Sequence, residues 1–226
     1  MDNMPDQREY WRREHAGRDA FRRIYSAKPS QPVVDLVDFL VESGLRVRGM
    51  QALDVGCGIG RNSAYLAHRG FRVIGVDFVS EALEEAKNRY AMPDIHFDCW
   101  DLGQAWRLYS ESIDVIIDCN ATISLYAVQR KDAIREAYRV LKNRGHYLFY
   151  GVGPSPELMA RYPGPEPESI LFPEGRFEKR YSKGSLCDAY EDYALIDGPY
   201  SVPGNDPHVG AATSYYLWIA LFQKLA

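Results

Sequence analysis

The chain has few of the residues that would indicate a disulfide framework, a zinc site or a membrane span. Its 226 residues include only four cysteines, and none of them forms a CxxC pair. This pattern is typical of reduced, buried thiols. No stretch approaches the roughly eighteen uninterrupted apolar residues of a membrane-spanning helix, and the polar N-terminus lacks the apolar core of a signal peptide. We therefore expect a soluble, cytoplasmic protein with no metal site and no membrane partner.

Positive charge is also scarce. Lysine and arginine number 27 against 31 aspartates and glutamates, which gives a net charge of -4. A chain of this balance lacks the positive field that nonspecific binding to a phosphate backbone requires, so we expect no nucleic-acid partner. The length suits one sizeable core, and we expect residues 1–226 to form a single domain, as a monomer or a homodimer.

Short apolar runs alternate with helical patterns in the first two thirds of the chain. This alternation predicts βαβ units and an α/β fold, with a mostly parallel sheet covered by helices on both faces. The predicted strands are MQALDV, FRVIGVD, DIHFDC, SIDVIID and HYLFYGV.

The segments on either side of this core have a different texture. Residues 7–28 are basic with interleaved aromatics, which favours a helix packed on the domain, with a basic docking surface as the alternative. The text QPVVDLVDFLVESG predicts a second helix, with proline in its first turn and glycine just past its end. Six of the thirteen prolines fall between Pro154 and Pro173 and indicate an irregular excursion. A short helix and two last strands follow, the final one in SYYLWIALFQK.

A glycine-rich stretch links the first predicted strand to its helix in LDVGCGIGRNSAYLAHRGFRVIGVD, residues 53–77. Glycines at such a turn let the backbone approach a ligand, and the helix N-terminus supplies free N–H groups. Dinucleotides and S-adenosylmethionine both use this arrangement. Gly56, Gly58 and Gly60 spell GxGxG, whereas the dinucleotide fingerprint is GxGxxG. The spacing therefore favours S-adenosylmethionine.

Two acids flank the glycines. Asp54 precedes them and is expected at the mouth of the site, where it would repel a pyrophosphate but suit the ammonium and sulfonium of S-adenosylmethionine. Asp77 ends the second apolar run, and an acid there suits a grip on ribose hydroxyls. That grip is common to both ligands.

The stretch from Leu53 to Asp77 resembles the first motif of class I S-adenosylmethionine-dependent methyltransferases, and GCGIGRNSAYLA is similar to the tellurite-resistance and thiopurine methyltransferase group. HFDCWDL and EAYRVLKNRGHYLFY resemble later segments of that family. The resemblance implies a Rossmann-like, doubly wound, seven-stranded sheet with an antiparallel last strand. It also implies three parts: an N-terminal helical lid (1–48), a cofactor-binding core (49–151), and a substrate-side insertion with the last strands (152–226).

The resemblance also implies which residues bind the cofactor. The glycines would face its amino-acid half, with Asp54 near the ammonium and Arg61 near the carboxylate. Asp77 would hold the ribose and Asp101 the adenine amino group. The full predicted set is Asp54, Gly56, Cys57, Gly58, Gly60, Arg61, Asp77, Phe78, Asp101, Leu102, Cys119 and Asn120.

No catalytic residue is assigned, because methyl transfer from a sulfonium depends mainly on positioning, and a base is needed only when the acceptor must lose a proton. On the substrate side the candidates are Tyr10, Trp11, Tyr126 and His208. The end of the fourth strand reads DCNATISLY and lacks the NPPY or DPPY tetrapeptide of DNA amino-methylating enzymes.

These observations predict a methyltransferase that transfers a methyl group from S-adenosylmethionine to a heteroatom of a small molecule. Two alternatives remain open. The chain could bind S-adenosylmethionine without catalysis, or it could be a nicotinamide-dependent oxidoreductase, against which the missing third glycine and Asp54 both count.

Overall fold

A seven-stranded sheet forms the centre of the protein, in a computed structural model that describes residues 4–16, 28–203 and 216–226. In chain order its strands are β1 (Gln51–Val55), β2 (Arg72–Asp77), β3 (Ile95–Cys99), β4 (Ile113–Cys119), β5 (Leu141–Val152), β8 (Tyr193–Pro203) and β9 (Tyr216–Lys224). A separate two-stranded sheet consists of β6 (Ser169–Leu171) and β7 (Phe177–Lys179).

The described helices connect these strands. They are α1 (Gln7–Ala16), α2 (Gln31–Glu42), α3 (Arg61–His68), α4 (Ser80–Arg89), α5 (Ala127–Val140), α6 (Pro156–Arg161) and α7 (Lys183–Ala189), with a short 3₁₀ turn at Thr122–Ser124.

The strand order is β3-β2-β1-β4-β5-β9-β8. Strands β1 to β5 are parallel, whereas β9 runs antiparallel to both β5 and β8. The order reverses between β1 and β4, and such a switch point opens a crevice at the carboxyl ends of the strands. The predicted α/β fold with an antiparallel last strand is confirmed.

Apolar side chains cover both faces of the sheet. On one face α2 buries Val33, Leu36, Val37 and Leu40, as its apolar spacing predicts, whereas Val41, which belongs to the same predicted stripe, is 46% exposed. On the other face lies an aromatic cluster that includes Tyr147, Phe149, Tyr190, Tyr193, Trp218 and Phe222. A sheet buried on both sides is rigid, and it fixes the positions of the loops at its edge.

The proline-rich excursion contains more regular structure than its sequence indicates. The strands β6 and β7 pair as a hairpin, and the Phe172 N–H donates to the Arg176 carbonyl at 2.9 Å. Each strand is only three residues long, which is too short for periodicity to reveal. The hairpin contacts α1, and the Gln7 side chain bridges the two: its Nε2 donates to Gly175 O at 2.9 Å and its Oε1 accepts from Phe177 N at 2.9 Å.

Among the described residues, no helix combines the length and the apolar character needed to cross a membrane.

Candidate active site

A cavity of about 1310 Å³ opens at the carboxyl ends of β1, β2 and β4. It exceeds the roughly 300–1,000 Å³ of a typical small-molecule site, so it has room for two ligands. Its wall includes nine of the predicted cofactor residues: Gly56, Gly58, Arg61, Asp77, Phe78, Asp101, Leu102, Cys119 and Asn120.

The glycine loop forms the floor of the cavity. Gly56, Gly58 and Gly60 all have positive φ, at 63°, 52° and 80°, a conformation that favours glycine. A Cβ on Gly56 would lie 2.5 Å from the Cβ of Ala121, across the loop that follows β4. The absence of side chains therefore leaves a backbone cradle between β1 and α3, and this cradle fits a ligand that approaches the main chain closely.

Asp77 both lines the cavity and fixes this cradle. One carboxylate oxygen accepts from the Gly58 N–H and the other from the Val79 N–H, each at 2.9 Å. Burial raises the pKa of Asp77, and these two hydrogen bonds and the nearby His15 oppose the rise. The Asp77 carboxylate itself lines the cavity.

Asp101 and Leu102 line the cavity beyond the end of β3. The Asp101 carboxylate accepts from the Gly103 N–H at 2.8 Å, and its second oxygen lies 3.7 Å from the Arg8 guanidinium on α1. His15, on the same helix, also lines the cavity. Helix α1 thus places two side chains beside the two acids predicted for the adenosine half, and sequence reasoning did not identify either of them.

Asp54 is set behind the cavity wall, which corrects its predicted position at the mouth of the site. Its side chain is 1% exposed and accepts a 2.6 Å hydrogen bond from the Ser63 hydroxyl. Successive side chains of a strand point to opposite faces, and Asp54 points towards α3. Burial raises the pKa of Asp54 to about 6, opposed by the Ser63 hydrogen bond and the charge of Arg61.

Cys57 and Gly60 also lie outside the cavity lining. Cys57 is buried and packs with Leu83, Ala86 and Phe97 beneath the loop. A Cβ on Gly60 would lie 2.7 Å from the Phe97 ring, so this glycine permits α3 to pack close to β3. Both residues shape the loop from behind, and their contact with the cofactor stays a prediction.

The end of β4 carries a buried carboxylate that the sequence analysis did not single out. Asp118 accepts hydrogen bonds from Ala121 N at 3.0 Å and Thr122 N at 3.2 Å, from the Thr122 hydroxyl, and from the Tyr147 hydroxyl at 2.8 Å. This network holds the turn in which Asn120 adopts a φ of 63°. An acid near the end of the apolar run SIDVIID was the signal that could have indicated it.

The predicted substrate-side residues Tyr10, Trp11 and Tyr126 line the cavity, whereas His208 lies outside the described residues. The Tyr126 hydroxyl donates to Pro5 O at 3.0 Å and accepts from Gln7 Nε2 at 3.3 Å. The insertion adds four lining residues that sequence reasoning missed: Pro165, Glu166, Arg176 and Glu178.

Comparison with known proteins gives a consistent result. Residues 52–145 match the family described as methyltransferase domain. The Bacillus subtilis (strain 168) protein named "Putative methyltransferase YqeM" is 29% identical over 133 residues, which cover 57% of this chain and 53% of that protein. The chain thus spans about half the length of this curated relative.

Two solved structures share the fold. A Methanosarcina mazei SAM-dependent methyltransferase is 19% identical, with 82% of this chain and 97% of that chain covered and a TM-score of 0.71. The second is the Burkholderia thailandensis 1,6-didemethyltoxoflavin-N1-methyltransferase, solved with 1,6-didemethyltoxoflavin and S-adenosylhomocysteine. It is 17% identical, with 97% of this chain and 87% of that chain covered and a TM-score of 0.69.

Proposed function

Because residues 52–145 match the methyltransferase domain family and solved SAM-dependent methyltransferases share the fold, as the resemblance in the sequence implies, we propose that the chain transfers a methyl group from S-adenosylmethionine to a heteroatom of a small molecule. One observation carries this proposal. A single cavity joins the glycine cradle and its two acids to an aromatic wall built from α1, the loop after β4 and the insertion.

The residues present fit S-adenosylmethionine. The cradle at Gly56 and Gly58 admits the methionine end, and Arg61 lies beside it. Asp77 offers lone pairs to the ribose hydroxyls, while Asp101 and Leu102 suit the adenine. When bound, S-adenosylmethionine supplies an electrophilic methyl group on a sulfonium. Four acids, Asp54, Asp77, Asp101 and Asp118, lie in or close behind this half, and they favour a cationic ligand over a pyrophosphate.

The chain contributes mainly position and the exclusion of water. Arg61 is itself held, because its guanidinium donates to Ser30 Oγ at 3.0 Å and to Lys28 O at 3.2 Å. Helix α1 closes one side of the cavity through Gln7 and Arg8. Orientation of this kind supplies roughly 7–11 kcal/mol in well-aligned reactions, so no dedicated base is required for an acceptor that carries a lone pair.

The three parts of the chain divide the work in this proposal. In the first part (1–48), α1 acts as the lid while α2 packs on the sheet; the second part (49–151) binds the cofactor, and the described residues of the third part (152–226) supply the last strands and a share of the acceptor wall. The Burkholderia enzyme supports a small-molecule acceptor, since its structure contains bound 1,6-didemethyltoxoflavin and its match covers 97% of this chain.

Calorimetric titration with S-adenosylmethionine and S-adenosylhomocysteine tests the cofactor. We expect binding of both, and the absence of both would overturn the proposal. A turnover screen with thiols, amines, phenols and carboxylates then separates an enzyme from a protein that binds the cofactor without catalysis. Titration with NADH, followed by fluorescence, tests the oxidoreductase alternative, for which we expect no binding.

A further inference from the structure

The part of the cavity walled by α1, the loop after β4 and the insertion is called here the acceptor half. Its wall includes Tyr10, Trp11, Tyr126, Glu166, Arg176 and Glu178. The rings of Tyr10 and Trp11 pack edge to face with centroids 5.1 Å apart. Phe177 backs Tyr126 at a centroid distance of 4.5 Å. Tyr10, Trp11 and Tyr126 thus each pack against another ring, which keeps the surface that they present in place.

The two glutamates of this half are already paired. Glu166 meets Arg130 at 2.5 Å, with a second contact at 3.4 Å, and its side chain is 16% exposed. Glu178 bridges two buried arginines, at 2.7 Å to Arg176 and 2.6 Å to Arg180. Both carboxylates are thus already compensated in charge by arginine partners.

The arginines of this half are paired in the same way. Arg176 contacts Glu178 and lies 3.6 Å from Glu174, and its guanidinium stacks over the Phe172 ring at 4.1 Å. Arg130 also donates to Leu125 O at 2.5 Å. Three arginines (130, 176 and 180) thus face three glutamates (166, 174 and 178). The formal charges of these six side chains sum to zero, and the cavity-lining Asp6 is paired with Arg8 at 3.2 Å.

A charged acceptor would therefore lose its hydration on binding, and it would meet no oppositely charged side chain that lacks a partner of its own. A cation would also lie near the sulfonium of the cofactor and be repelled by it. A planar, uncharged ring loses little on leaving water and gains contact with supported aromatic surfaces. The balance of charges and the aromatic lining both favour the neutral ligand.

We propose that the acceptor is an uncharged aromatic molecule that packs against Trp11 and Tyr126 in the acceptor half. This inference rests on the proposed function, because the second ligand has a role only beside a bound cofactor.

The test uses four probes of one size with the protein loaded with S-adenosylhomocysteine at pH 7: 2-naphthol, 2-naphthoate, 2-naphthylmethylammonium and decahydro-2-naphthol. Calorimetry measures each dissociation constant. We expect 2-naphthol to bind at least tenfold more tightly than either ion and than the saturated alcohol. Equal or tighter binding of any of the other three, or no binding of 2-naphthol, would overturn the inference.

Two variants examine the charge and the ring separately. Glu166→Gln leaves Arg130 without its carboxylate, so the affinity for 2-naphthoate should rise at least fivefold relative to the affinity for 2-naphthol. The control Glu157→Gln, at an exposed position on α6, should change neither affinity. Trp11→Leu should weaken the binding of 2-naphthol at least fivefold. The control Tyr109→Leu removes an aromatic side chain that is 89% exposed and should leave this binding unchanged. An unchanged preference in both test variants would contradict the inference.

The binding of S-adenosylhomocysteine is measured first, without a probe. If it fails, the proposed function fails and the inference falls with it. If it succeeds and the probes rank differently, only the inference is overturned.

Discussion

The phenolic hydroxyl of Tyr147 on β5 donates a 2.8 Å hydrogen bond to the carboxylate of Asp118 on β4, and both side chains are fully buried. The same carboxylate accepts from the backbone of Ala121 and Thr122. The buried Asp118 carboxylate thus connects, through hydrogen bonds, the aromatic core on the sheet with the turn that places Asn120 in the cavity wall. Burial raises the pKa of Asp118, against which these hydrogen bonds act.

Replacement of Tyr147 by Phe should therefore destabilise the fold. The change leaves a buried carboxylate with one donor fewer, which costs about 1–3 kcal/mol of unfolding free energy. Urea denaturation measures this cost. Tyr193→Phe is the matched control in the same cluster, because the Tyr193 hydroxyl makes a longer bond of 3.3 Å to the Ile134 carbonyl. An equal loss in both variants would show that the Asp118 bond has no special weight.

Gly56→Ala should abolish tight binding of S-adenosylhomocysteine. The new Cβ would lie 2.5 Å from the Cβ of Ala121, so the loop after β4 must move at the point where it lines the cavity. We expect at least a tenfold weaker affinity by calorimetry. Gly49→Ala is the control for backbone strain alone. Gly49 also has a positive φ, of 86°, but no atom lies within 4 Å of the added Cβ, so this variant strains the backbone without a steric clash. That control should cost about 1–2 kcal/mol of stability and leave the affinity unchanged.

Asp77→Ala should weaken the binding of S-adenosylhomocysteine at least tenfold while the protein remains folded. The variant removes both the proposed ribose contact and the acceptor that holds the Gly58 and Val79 N–H groups. Asp98→Ala, on the neighbouring strand β3 and outside the cavity lining, is the matched control. Unchanged affinity in the Asp77 variant would disprove the ribose assignment.

The buried Asp54 predicts a specific dependence of stability on pH. Burial raises the pKa of Asp54 in the folded state to about 6, above its ordinary value, so the folded protein holds the proton more tightly than the unfolded chain does. Its stabilising effect is therefore complete below about pH 4 and is lost as the pH rises through about 6. Relative to Asp54→Asn, the native protein should lose roughly 3 kcal/mol of unfolding free energy between pH 4 and 7.5.

Urea denaturation of both proteins at several pH values checks this. The difference between them isolates Asp54 from the other buried acids, Asp77 and Asp118. Asp35→Asn, at an exposed position of α2, is the surface control. A difference that does not change with pH would contradict the prediction.

The alternation of apolar and helical patterns was sufficient to predict the sheet and its helices, because strands such as β1 and β2 are buried on both faces and the periods of their helices are regular. The glycines and the acids at strand ends likewise indicated the position of the cavity. These signals are local, and each depends on a residue type placed at the end of a strand.

The direction of side chains across the sheet could not be predicted in the same way. Asp54 and Asp77 look equivalent in the sequence, yet one points to Ser63 and the other into the cavity. The hairpin of β6 and β7 could not be predicted because its strands are short. Its position beside the cavity depends on contacts with Gln7, about 170 residues away. Contacts over such separations leave no periodic pattern in one sequence.

The insertion between β5 and β8 begins and ends in strands on the same side of the sheet, and both strands are paired with β9. Its two ends are therefore fixed points of the scaffold. A chimaera that replaces residues 153–192 with the corresponding segment of another protein of this fold would exchange Pro165, Glu166, Arg176 and Glu178 in a single graft and keep the aromatic residues of the acceptor half. The junctions would leave the first ligand's loops untouched, which makes this stretch the natural unit for redesign of selectivity.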